Sequence, residues 1–421
     1  MKEKINRRGV LKVASAVVVS NAVSNSTAKP NASSANLAAT EISSSWTNTP
    51  NQIWLGEEFW ANPMEDWRIQ NGMAQCTNSG ANRNVHSLIH QLVDPKSAFQ
   101  TSVVVYPIEK SQKDGGAALR LGVRSEINEY RSNCFAHKSG LNVGVVNDHL
   151  LVGKRKKKLA EQVNQKPFKI SVTGTPQADK VQLNIEVALL DSGDAIGELA
   201  VIVDANDVIG NIALVSNFSV KSKSQFLSSH DNEYGRFGFS DWTIQGGAFG
   251  NEPNQKFGPI LWSMYTLDRS GSDEEFTLKL NAFIGPVAIE DVQRFDFEFA
   301  SPNGWKKLGG ATIDPQCWVA SFKFENWDAE VSQKYRLVFK QGKTDNSESV
   351  SYWHGTIQAN PNAGKLRMAA MTCQKDYAFP YEPLVDSVAA MDPDILFFSG
   401  DQIYEDHGGY GLIRAPADRA I

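Results

Sequence analysis

Alternation of apolar and polar residues dominates the first half of the chain. Val181 to Val187 is apolar at every second position, and the segment from Gly235 to Trp242 repeats the pattern. A period of two is typical of a strand with one face in a core and the other in water. Many such segments, separated by Gly, Asn and Asp turns, lie between residues 46 and 250. The pattern predicts a mostly β fold that begins with a jelly-roll sandwich over 46–250.

A second stretch of alternating residues runs from 257 to 361. Its clearest runs are Phe276–Ala282, Phe295–Phe299, Trp318–Phe324, Tyr335–Phe339 and Val350–Trp353. About a hundred residues of this kind predict a small β-sandwich of the immunoglobulin or fibronectin type, with no visible chemistry of its own.

The pattern changes at Lys365. "KLRMAAMTC" reads as a strand, and Ile395–Phe398 reads as a second strand buried on both faces, because it lacks polar alternation. Between them, four apolar residues have helical spacing: Leu384, Val385, Val388 and Met391. A β-α-β unit makes its two strands parallel, so we expect Cys373 and Asp401, which follow them, at one edge of the sheet.

Charge and hydropathy exclude two classes of partner. The chain of 421 residues has a formal net charge of −5, which supplies no general attraction to nucleic acid. No apolar run approaches the roughly 20 residues of a membrane span, so we expect a soluble protein. The basic run Lys154–Lys158 is interpreted as a solvated hairpin or loop rather than as a site for acidic polymers.

Residues 1–45 are predicted to be an export signal and a linker. Lys2, Lys4, Arg7 and Arg8 lie ahead of the apolar run Val13–Val19, and small residues suited to cleavage follow. The segment Asn6–Lys12 resembles the twin-arginine export motif. The resemblance implies the twin-arginine translocase as a partner and a periplasmic, cell-surface or extracellular location. The alternative is a basic, disordered terminus.

Cysteine spacing excludes a zinc ribbon, because none of the four cysteines forms a CxxC pair. A Cys76–Cys134 disulfide is one of the pairings that the sequence allows. Cys373, Asp401 and Tyr404 suggest different chemistry, since thiolate and phenolate are strong donors to Fe(III), and a carboxylate can bridge metals or bind Ca(II). Each of them alone is more typical of packing or of a turn.

Two neighbouring motifs resemble a known enzyme family. "MTCQKDY" followed after a helix by "DPDILFFSGDQIYE" resembles the start of the catalytic domain of alkaline phosphatase D-like metallophosphatases. The sandwich at 257–361 is similar to the amino-terminal domain of that family, and 365–421 would be a partial catalytic domain of a C-terminally truncated chain.

That resemblance implies a metal centre and a substrate. Cys373 and Tyr404 would be ligands of Fe(III), Asp401 would be shared between metals, and Ca(II) would complete the cofactors. The substrate would be a phosphate mono- or diester. Glu405 and His407 match no ligand of the family and are interpreted as exposed loop residues.

The first β segment has a resemblance of its own. "EEFWANPMEDWRIQNGMAQC" and "GRFGFSDWTIQGG" resemble the first and last strands of concanavalin-like (laminin-G or lectin type) jelly rolls. Such domains often bind sugars on aromatic side chains, which Trp54, Trp60 and Trp67 could provide. Tryptophans at strand spacing are more often core, and that interpretation is preferred.

Two functions from different classes remain. The first is an exported metal-dependent phosphatase, represented by its amino-terminal part; a nuclease or other phosphodiesterase differs from it only in substrate. The second is a secreted, lectin-like carbohydrate-binding protein with a non-catalytic remnant at residues 365–421.

Overall fold

The computed structural model describes residues 42–109, 115–136, 139–163, 165–219, 234–269, 275–287, 291–361, 364–373 and 381–401. The predicted export signal lies outside the described residues, as do Tyr404, Glu405 and His407. No helix in the described part of the chain is long and apolar enough to cross a membrane.

The first half of the chain folds into strands joined by short turns. In chain order these are β1 (Ile42–Ser43), β2 (Phe59–Asn62), β3 (Trp67–Gln70), β4 (Met73–Cys76), β5 (Arg83–Leu92), β6 (Phe99–Glu109), β7 (Gly116–Val123), the short helix α1 (Tyr130–Asn133), β8 (Leu141–Val146), β9 (His149–Val152), β10 (Arg155–Lys158), β11 (Phe168–Gln177), β12 (Lys180–Leu189), β13 (Ala195–Asp204), β14 (Gly210–Ser216), β15 (Arg236–Gln245) and β16 (Phe249–Asn251).

These strands form two eight-stranded antiparallel sheets. Sheet A has the order β13-β12-β11-β6-β15-β4-β3, with β1 beside β15. Sheet B has the order β10-β9-β8-β7-β14-β5-β16, with β2 beside β5. Neighbours distant in sequence, such as β6 and β15, pair in both sheets, as expected of a jelly roll. The predicted jelly roll is therefore confirmed.

A single hydrophobic core joins sheets A and B. Every second residue of β12 faces it, beginning with Val181, as the alternation predicts. Trp54 and Trp67 are 4% and 1% exposed, so both are buried as predicted, and Trp67 belongs to this core. Trp60 is half-buried. The basic run is also as predicted, because Arg155–Lys158 is an exposed strand paired in a hairpin with β9.

The next segment forms a separate β layer with its own core. Its strands are β17 (Ile260–Asp268), β18 (Phe276–Ile284), β19 (Arg294–Ser301), β20 (Gly304–Asp314), β21 (Val319–Trp327), β22 (Gln333–Gly342) and β23 (Glu348–Ile357). They pair antiparallel in the order β17-β18-β21-β20-β19-β22-β23. The long strand β20 pairs with both β19 and β21, so it links the two halves of the layer around buried aromatics such as Phe297.

The two β segments meet at Trp54. A Cβ atom at Gly285 would lie 2.2 Å from the indole ring of Trp54, so only glycine permits this close approach. Polar contacts flank the ring: the backbone amide of Ile53 donates to Asp291 at 3.3 Å, and the Thr344 hydroxyl donates to Asn48 at 2.6 Å.

The last described elements are β24 (Met368–Met371), α2 (Glu382–Met391) and β25 (Ile395–Phe398). β24 and β25 pair in parallel, and α2 connects them, which confirms the predicted β-α-β arrangement. The predicted burial of β25 is wrong. Its four side chains are 43–52% exposed, because β24 is its one paired neighbour among the described residues and no described layer covers either face.

The cysteines are free thiols, which corrects the Cys76–Cys134 disulfide. The Cys76 thiol donates to the carbonyl oxygen of Asn78 at 3.1 Å, and the Cys134 thiol to that of Tyr130 at 3.4 Å. Burial raises the pKa of Cys76 to about 12. Each thiol thus has a local acceptor and stays protonated near neutral pH.

Candidate functional site

Alternate rows of residues across sheet B face opposite sides of the jelly roll. One row faces the core and is entirely apolar: Val143, Leu119, Leu214, Val85 and Ala61. The neighbouring row is displaced by one residue on every strand and therefore faces away from that core. Its residues are Asn142, Arg120, Ala213, His86 and Trp60. Side chains alternate between the two faces of a strand, so sheet B presents a polar outer face.

Asparagine side chains dominate this outer face. Asn62 and Asn84 are paired across β2 and β5, and the Asn62 amide donates to Asn84 Oδ1 at 2.9 Å. The Asn211 amide donates to the Ser87 carbonyl oxygen at 2.5 Å, and Asn211 Oδ1 lies 2.6 Å from His86 Nδ1. Arg120 Nε donates to Asn142 Oδ1 at 2.7 Å. The sheet therefore holds a network of polar groups that fixes its side chains.

Residues 124–136 lie over this face and contain α1. Asn62 Nδ2 donates to the Cys134 carbonyl oxygen at 2.7 Å, which attaches the segment to the sheet. Glu129 caps α1 by accepting from the backbone amides of Arg131 and Ser132. Asn133 Oδ1 accepts from the Ser125 amide at 2.8 Å, so both ends of the segment are held together.

His86 is neutral in this environment. It is 1% exposed, and burial lowers its pKa to about 4. The hydrogen bond to Asn211 acts in the opposite direction, and the positive charge of Arg120 lowers the pKa further. His86 is therefore an uncharged hydrogen-bonding group of the sheet at neutral pH.

Four amide side chains form a connected line at the edge of the covering segment, and we refer to Asn128, Asn133, Gln91 and Gln255 as the amide chain. Asn133 Nδ2 donates to Asn128 Oδ1 at 3.2 Å and to Gln91 Oε1 at 3.3 Å. Gln91 Nε2 donates to Gln255 Oε1 at 3.4 Å. Asn133 is buried, whereas Asn128 is exposed and the two glutamines are half-buried. The amide chain thus connects the polar interior of the site to the surface.

An aromatic group lies next to the same segment. The Trp60 ring makes edge contacts with Phe257 at 4.6 Å and with Phe135 at 5.4 Å between ring centroids. Its indole N–H donates to Asn62 Oδ1 at 2.7 Å. All three rings are half-buried. Trp60 therefore links an aromatic surface to the asparagine network.

The structure brings together two of the three predicted metal ligands. The Cys373 thiol donates to Asp401 Oδ2 at 3.2 Å, and the Cys373 amide donates to the Gly400 carbonyl oxygen at 3.2 Å. Both side chains lie at one end of the parallel pair β24–β25, as the sequence predicts. Tyr404, the third predicted ligand, lies outside the described residues.

Comparison with known proteins gives lectin folds. A lectin from Bauhinia forficata in complex with GalNAc has 14% identity and a TM-score of 0.32, covering 49% of this chain and 98% of the lectin. The Emp47p carbohydrate recognition domain has 14% identity and a TM-score of 0.30, covering 52% of this chain and 100% of that domain. The VIP36 exoplasmic/lumenal domain bound to Ca²⁺ and Man3GlcNAc has 8% identity and a TM-score of 0.29, and the match covers 45% of this chain and 84% of that domain.

TM-scores of 0.29–0.32 are too low for the similarity to assign a fold or a function to this chain. No family model and no curated protein sequence matches the chain. The strand order of sheets A and B is what identifies the jelly roll.

The prediction of a phosphatase is wrong. The similar structures named above are a lectin, a carbohydrate recognition domain and an exoplasmic/lumenal domain, and none of these three is a phosphatase. The motif that suggested an alkaline phosphatase D-like phosphoric ester hydrolase contains Cys373, Asp401 and Tyr404, and the structure describes the first two of these residues. Among described residues, no group of three or more His, Cys, Asp or Glu side chains is placed to hold a metal ion.

Sequence reasoning missed the amide chain and the asparagine network. A signal was present, because Asn84 and His86 alternate with Val85, and Asn142 alternates with Val143. Alternation marks such residues as facing away from the core, but it does not distinguish a face in water from one covered by a distant segment.

Proposed function

We propose that the jelly roll binds glycans, and that the amide chain on the outer face of sheet B contacts the sugar. The observation that carries the proposal is the line of amides, three of them at least partly exposed, that is connected to the buried asparagine network of the sheet face. Each amide side chain offers both a donor and an acceptor, which is the combination that neighbouring sugar hydroxyls require. The function is therefore recognition of a carbohydrate.

The lengths of the hydrogen bonds support this role. The bonds that join the amide chain are 3.2–3.4 Å long, near the limit for an N–H···O bond, whereas those beneath it are 2.5–2.9 Å long. Hydroxyl groups of a sugar can replace the long bonds at small cost. The shorter bonds hold the floor of the site in place, so little side-chain freedom is lost on binding.

The aromatic group supplies the second half of a carbohydrate site. Trp60, Phe135 and Phe257 offer half-buried ring surface beside the amides. An amphipathic ring such as indole suits a ligand that has one apolar face and polar edges, as a pyranose has. The proposed glycan lies with its hydroxyl groups on the amide chain and a ring face towards these aromatic residues.

Removal of one accessible amide should weaken glycan binding. We expect Gln91→Ala and Asn128→Gly each to lower the affinity for a retained oligosaccharide by about fivefold, because each loses a hydrogen bond worth about 1 kcal/mol. Glycine is chosen at position 128 because Asn128 has a φ of 49°, in the left-handed region that glycine adopts without strain. Screening on a glycan array followed by calorimetry measures the change.

The matched control is Gln182→Ala. Gln182 lies on β12 in sheet A and bonds to the amides of Gln177 and Asn184 near the surface. It tests the loss of a surface amide elsewhere on the same jelly roll. Unchanged affinity in both site variants, with melting temperatures equal to that of the control, would contradict the proposal.

Export remains part of the proposal. A carbohydrate-binding protein meets glycans outside the cell or at its surface, which agrees with the signal predicted in residues 1–45. Passage through the twin-arginine translocase stays a prediction, and replacement of Arg7 and Arg8 by lysine, followed by fractionation, tests it.

Metal binding at Cys373, Asp401 and Tyr404, with Fe(III) and Ca(II), stays a prediction that is independent of glycan binding. The 3.2 Å separation of the Cys373 thiol and Asp401 supports it, because a thiolate and a carboxylate at this distance suit one cation. Fe(III) bound to the full chain should give a visible charge-transfer band that Cys373→Ala or Tyr404→Phe removes. Metal analysis that finds zinc and no iron would contradict the assignment.

A further inference from the structure

An exposed aromatic surface lies on the second β segment, far in sequence from the amide chain. Trp305 on β20 is 38% exposed and Tyr352 on β23 is 49% exposed. His354 lies between them, with its ring centroid 5.5 Å from that of Trp305 and 6.2 Å from that of Tyr352. We refer to Trp305, Arg336, Tyr352 and His354 as the aromatic platform.

Arg336 fixes the two large rings. Its guanidinium carbon lies 4.7 Å from the Trp305 ring centroid and 4.6 Å from that of Tyr352. Arg336 is directly opposite Glu298 on β19 and His354 on β23, so it occupies the centre of this sheet face. Cation–π contacts on both sides reduce the freedom of the rings before any ligand binds.

The charges of this face are paired internally. Arg336 Nε and Nη2 both lie 2.6 Å from Glu298 Oε2. Lys307 Nζ lies 2.6 Å from Asp296 Oδ1. The positive charges at the platform are thus matched by carboxylates, and the chain as a whole has a net charge of −5. An anionic polymer gains little here, so the platform suits an uncharged ligand.

We propose that the aromatic platform is a second carbohydrate site, which takes an uncharged pyranose ring of an oligosaccharide. The exposed ring surfaces of Trp305 and Tyr352 that Arg336 does not cover receive the apolar face of the sugar, and His354 offers a hydrogen-bonding group at the edge. Preorganised tryptophan and tyrosine side chains provide large contact areas at small entropic cost. The proposal rests on the proposed function for its class of ligand, but it uses none of the residues of the amide chain.

Two sites on one chain would change how the protein holds a polymer. An oligosaccharide that is long enough to reach both sites binds first at one of them. Its binding at the other site is then intramolecular, which raises the overall affinity. A long glycan would then be retained more strongly than a short one, whereas a single site would show no such difference.

The test uses the full chain with cellohexaose, maltohexaose and a panel of other uncharged oligosaccharides. We expect Trp305→Ala and Tyr352→Ala to weaken one of two binding events by about tenfold in calorimetry, with melting temperatures unchanged. The matched control is Trp262→Ala, which removes a 43% exposed tryptophan that stacks on Phe283 outside the platform. It should leave both binding events intact.

The variants separate this inference from the proposed function. If Gln91→Ala is without effect while Trp305→Ala abolishes binding, the platform site stands and the jelly-roll site is wrong. If Trp305→Ala and Tyr352→Ala both bind as the wild type does, the platform inference is overturned. It is also overturned if sedimentation shows that these variants convert a dimer to a monomer and leave sugar binding unchanged, because the platform would then be an interface between copies of this chain.

Discussion

Trp242→Ala should destabilise the jelly roll by about 3–5 kcal/mol, the cost of truncating a large buried aromatic residue. The Trp242 side chain is 1% exposed and packs in the core against Trp46 and Phe59, at 6.4 and 6.1 Å between ring centroids. Its indole N–H donates to the Thr101 hydroxyl at 3.2 Å. The substitution leaves a cavity and removes this hydrogen bond, although the Thr101 hydroxyl still donates to the Thr243 carbonyl oxygen at 2.8 Å.

Urea unfolding followed by circular dichroism measures the loss. Because the two β segments have separate cores, the curve should contain a transition for each, and the transition of the jelly roll should shift. Trp262→Ala, at an exposed position, should change stability by less than about 1 kcal/mol. A loss below about 1 kcal/mol for Trp242→Ala would contradict the core assignment.

Acidification should destabilise the jelly roll through His86. The pKa of this side chain is lowered from 6.5 to about 4 in the folded state, so the unfolded chain binds more protons than the folded chain between these two values. Stability is therefore full above pH 6.5 and falls as the pH decreases towards 4. The integrated loss is about 3 kcal/mol, since one pKa unit corresponds to about 1.4 kcal/mol.

His86→Gln isolates this contribution. Glutamine keeps a hydrogen-bonding group near Asn211 but does not take up a proton. The slope of unfolding free energy against pH should decrease by roughly 1.4 kcal/mol per pH unit within the window from pH 4 to 6.5. Equal slopes for the wild type and the variant would show that His86 is protonated in the folded protein or accessible to water.

Local periodicity predicted those parts of the fold that depend on neighbours in sequence. The alternation at Val181–Val187 identified β12, and the helical spacing from Leu384 to Met391 identified α2. The order of these elements also implied that β24 and β25 are parallel, which placed Cys373 beside Asp401. Each of these inferences uses only the geometry of a strand or a helix.

Burial that depends on distant segments was not predictable in the same way. Ile395–Phe398 is apolar enough for a central strand, yet it is exposed, because burial requires neighbours that its own residues do not specify. The converse holds for Asn84 and Asn211, which are polar and fully buried. Residues 124–136 lie over their sheet face, and no local pattern connects Asn133 to Gln91.

The functional error has a related cause. The cysteine and Gly-Asp motifs occupy a short terminal segment, and the resemblance that they carry was extended to the activity of the whole chain. The jelly roll contains most of the buried polar groups, and the amides that form the proposed site come from separate strands and loops. A short motif is a more visible signal in sequence than a site assembled from distant residues.

Hydrogen–deuterium exchange of the full chain, with and without a retained oligosaccharide, tests the central claim that the outer face of sheet B binds glycans. We predict that the glycan slows exchange in residues 124–136 and at the end of β5 around Gln91, and that Gln91→Ala reduces this protection. Exchange that is unchanged throughout the jelly roll, or protection confined to the outer strands of sheet A, would contradict the account.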